Sequence, residues 1–157
     1  MKDIKTEMEL MMALEILEGD KSFQDWKSKN TDSFLAHAFT MVEGDHDGSY
    51  QFGFYNPDDT MTTFDAGAKG VTRGASDEIF KKPDASIHPL VKEDVKIPFV
   101  KALYIAEKTQ AMEFPSEEPL KIMVILQHLP GDGAVYNITY ITKAMKALNM
   151  RISSLDG

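Results

Sequence analysis

Hydrophobic and polar positions along this chain pass from helical to strand spacing twice, in nearly the same order. Between Met8 and Leu17, the residues Leu10, Met11, Leu14 and Leu17 recur at helical spacing, with Gly19 as a stop just beyond. Asp20 or Ser22 is a suitable cap for a second, short helix that carries Phe23 and Trp26 on one side and ends at Asn30. From Ser33 to Glu43, the residues Phe34, Leu35, Ala36, Ala38, Phe39, Met41 and Val42 suit a strand largely buried on one face. After Gly44 to Gly48, Tyr50, Phe52 and Phe54 alternate with Gln51, Gly53 and Tyr55, the period of a half-buried strand. Asn56-Pro57-Asp58-Asp59 predicts a turn, and Thr60 to Asp65 a third strand.

Ala66 to Pro89 breaks the pattern. Glycines, prolines and small polar residues dominate, with one helical turn expected from Ser76 around Ile79 and Phe80. This stretch is expected to be an irregular connection, and a long connection inside a compact body is a place to look for a partner surface.

The second half opens with a helix between Val91 and Phe114, with Phe99, Val100, Leu103, Ala106, Gln110 and Phe114 along one face and Pro115 as its stop. Leu120 to Leu129 is a nearly continuous apolar strand. Pro130 to Gly133 turns the chain into Val135 to Thr142, with Tyr136, Ile138 and Tyr140 aligned. Lys143 to Leu148 is expected as a loop or a helical turn, and Asn149 to Leu155 as the last strand. The Asp47-Gly48 turn before Tyr50 thus has a loose counterpart in Asp132-Gly133 before Tyr136. The expected fold is α+β: a single compact body over 1–157, with one helix-plus-three-strand unit over 1–67, a connection over 68–93 and a second unit over 94–157. The antiparallel sheets of the two units pack or align, with helices on one side.

Composition narrows the partners. Seventeen basic residues against 25 acidic ones leave a net charge of −8, which repels nucleic-acid phosphate in the absence of a segregated basic patch. No cysteine is present, so disulfide and thiolate chemistry are excluded. No apolar run is long enough to span a bilayer, and Met1 to Glu7 lacks the pattern of a secretory signal. The chain as it stands is expected in the cytoplasm, or outside it if a signal has been removed.

The order of helix, strand, glycine turn, Tyr136-Asn137-Ile138-Thr139-Tyr140 and then Asn149-Met150-Arg151-Ile152 running into Leu155-Asp156-Gly157 resembles a PepSY-type, peptidase-propeptide-like domain. The resemblance is clearest over 94–157 and loose over 8–67. It implies a helix packed across a small antiparallel sheet and a binding or regulatory module without catalytic residues of its own.

Individual motifs give little chemistry. Glu43-Gly44-Asp45-His46-Asp47-Gly48 has the alternating acids of a calcium loop, but position twelve is Phe54 where a bidentate glutamate is needed. Gly67, Gly70 and Gly74, with Lys69 and Arg73 among them, match neither a P-loop nor a dinucleotide fingerprint. His37, His46, His88 and His128 lack metal-ligand spacing, and no serine sits in a nucleophile elbow. No catalytic residue, cofactor site or metal site is assigned. The candidate recognition residues are Tyr50, Tyr55, Tyr136 and Tyr140, on sheet faces suited to a protein or peptide. Three functions stay open: a non-enzymatic module binding a protein or peptide, as monomer or homodimer; a domain holding a small ligand between helix and sheet; and an enzyme whose acid or base is His37, His128 or a carboxylate.

Overall fold

The computed structural model describes residues 6–78 and 87–156. Its elements are α1 (Leu10–Gly19), α2 (Lys21–Lys29), β1 (Phe34–Val42), β2 (Ser49–Tyr55), β3 (Thr60–Gly67), β4 (Gly70–Glu78), α3 (Phe99–Glu113), β5 (Pro119–Leu129), β6 (Gly133–Thr142) and β7 (Ala147–Ser153). The fold is α+β, as the periodicities predict. All seven strands join one antiparallel sheet in the order β4-β3-β2-β1-β5-β6-β7. The first half contributes two helices and four strands, the second one helix and three strands. The halves meet where β1 pairs with β5, from His37 opposite Gln127 to Val42 opposite Ile122.

The fourth strand corrects the expected connection. Gly70–Glu78 lies in the stretch expected to be irregular, and Ser76, expected to begin a helical turn, is strand; Ile79 and Phe80 lie outside the described residues. The glycines that suggested a loop serve a hairpin. Gly67 pairs with Gly70 across its turn, and a Cβ on Gly74 would lie 2.3 Å from Thr63 Oγ1, beside the point where the β3–β4 register shifts. At Gly48, φ of +80° closes the turn before β2, and a Cβ there would lie 3.1 Å from Met8 N.

All three helices cover the same side of the sheet. Leu10, Ala13, Leu14 and Leu17 of α1 are buried at helical spacing. Asp20 caps α2 by accepting from Phe23 N at 3.0 Å, and Phe23 and Trp26 lay their rings against Phe54 and Phe64 with centroids 5.1–5.5 Å apart. Opposite them, a cross-strand row of Phe64, Phe52, Ala38, Leu126, Tyr136 and Ile152 forms the floor of the core, every member buried. Phe99, Ala102, Leu103 and Ala106 of α3 close the second half, whereas Val100 and Phe114, expected on the same stripe, are exposed.

Tyrosine hydroxyls fasten the helices to this floor. Tyr50 donates to Met8 O at 2.7 Å and Tyr136 to Ile97 O at 2.6 Å, in each case the carbonyl two residues before a helix begins. Tyr140 donates to Glu107 Oε1 on α3 at 2.9 Å. The Glu9 carboxylate, just ahead of α1, accepts from Phe99 N at 2.5 Å and Val100 N at 3.2 Å and so caps α3 from 90 residues away. A carboxylate is well matched to the positive end of a helix dipole.

This cross-cap predicts that Glu9→Ala lowers stability by about 1–2 kcal/mol in urea unfolding, against under about 0.5 kcal/mol for the exposed Glu15→Ala. Tyr136→Phe strands the Ile97 carbonyl in the core and is expected to cost about 1–3 kcal/mol in the same assay.

Candidate functional site

Alternation sends even-numbered residues of β2, β5, β6 and of β1 from Ala36 onward toward the helices and odd-numbered ones to the opposite side. The register shift between Leu35 and His37 reverses this at the start of β1, where Leu35 packs on the core and Phe34 pairs with Tyr55. No described helix lies on that opposite side. Its middle row runs Asp65, Gln51, Phe39, Ile125, Asn137, Arg151 from β3 to β7, each residue registered with the next. The next row places Met41 beside Met123, then Thr139 and Asn149. Phe39, Met123 and Ile125 are half-buried, and Met41 is 38% exposed. The Asn149 amide bonds Asn137 Oδ1 at 2.6 Å and Thr139 Oγ1 at 2.9 Å, which fixes part of the polar rim. An apolar centre with a polar margin, over which no described helix lies, has the anatomy of a protein-binding face.

At one end of this face the His37 ring lies over Gly53, where a Cβ would come within 2.3 Å of Cε1. Burial holds the His37 pKa below its ordinary value of 6.5. Nearby, the rings of Phe34 and Tyr55 meet at a tilt of 49° with centroids 5.5 Å apart, and the Tyr55 hydroxyl donates to Asp59 Oδ1.

The sequence-derived recognition residues divide unequally. Tyr55 lies on the uncovered side and is half-buried. Tyr50, Tyr136 and Tyr140 face the helices, 2%, 0% and 0% exposed, so they are corrected from recognition surface to core, where burial pushes their phenol pKa values up. Period two alone cannot say which side of a strand the helices take. Phe39, Met41, Met123 and Ile125 are the residues that reasoning missed. The usable signal was the nearly unbroken apolar run of β5, since a strand apolar on both faces has a second face to bury.

The histidines do not converge. His37 takes the uncovered side of β1, whereas His128 stands on the alternate side of β5 with its ring 5.4 Å from that of His88. His46 turns away from its acidic neighbours into the core and is 2% exposed. Its Nδ1 meets the Gly48 N–H at 3.1 Å and Thr6 Oγ1 at 2.5 Å; its Nε2 stands 2.6 Å from Thr40 Oγ1, which donates to Ser49 O at 2.8 Å. The Gly48 bond makes Nδ1 an acceptor, so the ring is neutral with its proton on Nε2. Asp45 and Asp47 are exposed at the same turn, and no group of three or more His, Asp or Glu able to hold a metal occurs among the described residues. No described helix is long and apolar enough to cross a membrane.

A concavity of about 790 Å³ opens between α2 and the β2–β3 turn, lined by Trp26, Lys29, Asn56, Asp58 and Arg73 among others. Asn56 is fixed there by Ser33 Oγ at 2.5 Å and by its own bonds to Thr60 and Thr62 hydroxyls, both at 2.9 Å. No family model, curated protein or solved structure matches the chain.

Burial lowers the pKa of His46, against a smaller opposing pull from Asp47, as it does that of His37. In the unfolded chain both rings titrate near 6.5, so between the folded and unfolded values the unfolded state binds more protons and stability rises with pH. That stability is complete above 6.5 and lost as pH falls through the folded values. The urea midpoint is therefore expected to drop between about pH 7.5 and about pH 5.5, and His46→Asn to show a lower midpoint at the higher pH with a shallower drop.

Proposed function

We propose that this protein is a non-enzymatic binding module that engages a protein through the uncovered face of its sheet, on a PepSY-like plan in its second half. The observation that carries the reading is the one-sided placement of the helices. They bury one face of the sheet and leave Phe39, Met41, Met123 and Ile125 as an apolar centre ringed by polar side chains. Burying such a patch on association is favourable at roughly 25 cal/mol per Å² before ordering costs. The helix α3, bonded to β6 through Tyr140 and in contact with β7, supports the PepSY-like reading, which implies regulation of a partner and no chemistry of its own. Phe39→Asp with Ile125→Asp places two charges in the centre of the face and none in the core. As bait, this variant is expected to lose whatever the wild-type chain retains at stoichiometric yield from source lysate, with an unchanged far-ultraviolet spectrum. Equal retention by both baits would count against the face.

A small-ligand reading is favoured by the groove beside α2, whose volume falls in the range of small-molecule sites. Trp26, the one tryptophan of the chain, lines it and makes emission a local reporter. A ligand held there is expected to shift Trp26 emission with saturation, and Arg73→Ala to weaken it; a screened compound set that leaves emission unchanged would remove this reading.

A further inference from the structure

We propose that the partner for the uncovered face is a second copy of this chain, stacked sheet on sheet about a two-fold axis that runs along the strands between β1 and β5. The inference rests on the binding reading above and gives its face an occupant. A rotation about that axis turns each cross-strand row end for end and keeps it at the same height, so every contact occurs twice. Applied to Asp65, Gln51, Phe39, Ile125, Asn137, Arg151, it sets Asp65 against Arg151, Gln51 against Asn137 and Phe39 against Ile125. Acid meets base, amide meets amide and apolar meets apolar across these six positions, while Thr72, the next residue of the row on β4, extends beyond the partner's β7.

The neighbouring rows obey the same rotation. Met41 and Met123, registered partners at the centre, exchange places. Thr63, Gly53, His37, Gln127, Val135 and Ser153 form the row on the other side, where the rotation sets Thr63 opposite Ser153 and His37 opposite Gln127, while Gly53 and Val135, the remaining pair, are already buried within each chain. A partner of unrelated sequence asks for no such order in the row. A reversed copy of the same row requires it.

The dimensions agree. Strands about 4.8 Å apart place Asp65 and Arg151 roughly 24 Å from each other, at opposite margins of an apolar centre. Stacked sheets lie about 10 Å apart and cross at about 30°, which offsets the row ends by an amount that a guanidinium arm can span. Arg151 is available: its contact with Asp132 is 3.5 Å long, with the two side chains 57% and 52% exposed. The net charge of −8 per copy opposes association, and the two acid–base pairs at the margins act against it where the chains are closest.

Sedimentation equilibrium of the full chain tests this. Wild type is expected to dimerise, and Asp65→Arg alone or Arg151→Asp alone to weaken the dimer at least about tenfold, since each sets like charges opposite one another at both margins. An equimolar mixture of these two variants is expected to recover a heterodimer. In it the introduced arginine meets the introduced aspartate at one margin, and native Arg151 meets native Asp65 at the other. Wild type that stays monomeric at about 100 μM, or a mixture that fails to recover, overturns the second copy as partner. If wild type is monomeric but the Phe39→Asp, Ile125→Asp bait still loses a retained protein, the binding face stands and only its occupant is wrong. A wild-type dimer indifferent to all four substitutions overturns the second copy as occupant of this face, and equal retention by wild-type and Phe39→Asp, Ile125→Asp baits overturns the face itself.

Discussion

The pairing of β1 with β5 is the constraint on which the rest of the molecule depends. Each strand begins a meander that runs outward to its own edge, β1 through β2 and β3 to β4, β5 through β6 to β7. Their six registered pairs turn two meanders into one sheet and set the alternation of both in phase. Even-numbered residues of both strands then lie on one side, where Ala38, Val42, Ile122, Val124 and Leu126 meet the helices. A slip of one residue at this seam would send one meander's apolar set to the wrong side.

The helices register on the seam in turn. Tyr50 and Tyr136 hold the chain at the same point, two residues ahead of α1 and of α3, and Glu9 ties the start of one helix to the start of the other. His46 sits beside this junction, its ring 4.8 Å from that of Tyr50 and 5.2 Å from that of Phe99. A neutral imidazole suits the place, because both of its nitrogens already have partners and a second proton would face the Gly48 N–H. Thr40 and His46, both buried, thus place polar groups where the two halves join, and each has a bonding role there.

Much of the fold was legible in local pattern. The helix stripes, the turn at Asn56 to Asp59 and the alternation of Tyr50, Phe52 and Phe54 are each written within a few residues. β4 was not, because Gly70, Gly74 and the small polar residues between them read as loop, and their purpose appears only against Thr63 on the neighbouring strand. The candidate site was legible in residue type but not in direction. Tyr50 and Tyr136 were offered as recognition residues on a sheet face, yet the backbone carbonyls of Met8 and Ile97 give their hydroxyls partners in the interior. No window of sequence around Tyr136 contains that acceptor, 39 residues away.

The order of the strands also carries a kinetic consequence. Every neighbouring pair except one is joined by a turn of a few residues, so five of the six ladders can form from contacts close along the chain. The exception is the seam between β1 and β5, which closes a loop of roughly 80 residues at an entropic cost that grows with the logarithm of its length. Each meander, formed early, exposes the inner edge of its first strand until the other arrives, and an open edge accepts any strand that reaches it. The rate of seam closure against the rate of encounter with another unfinished chain therefore sets how the yield of refolding falls with protein concentration.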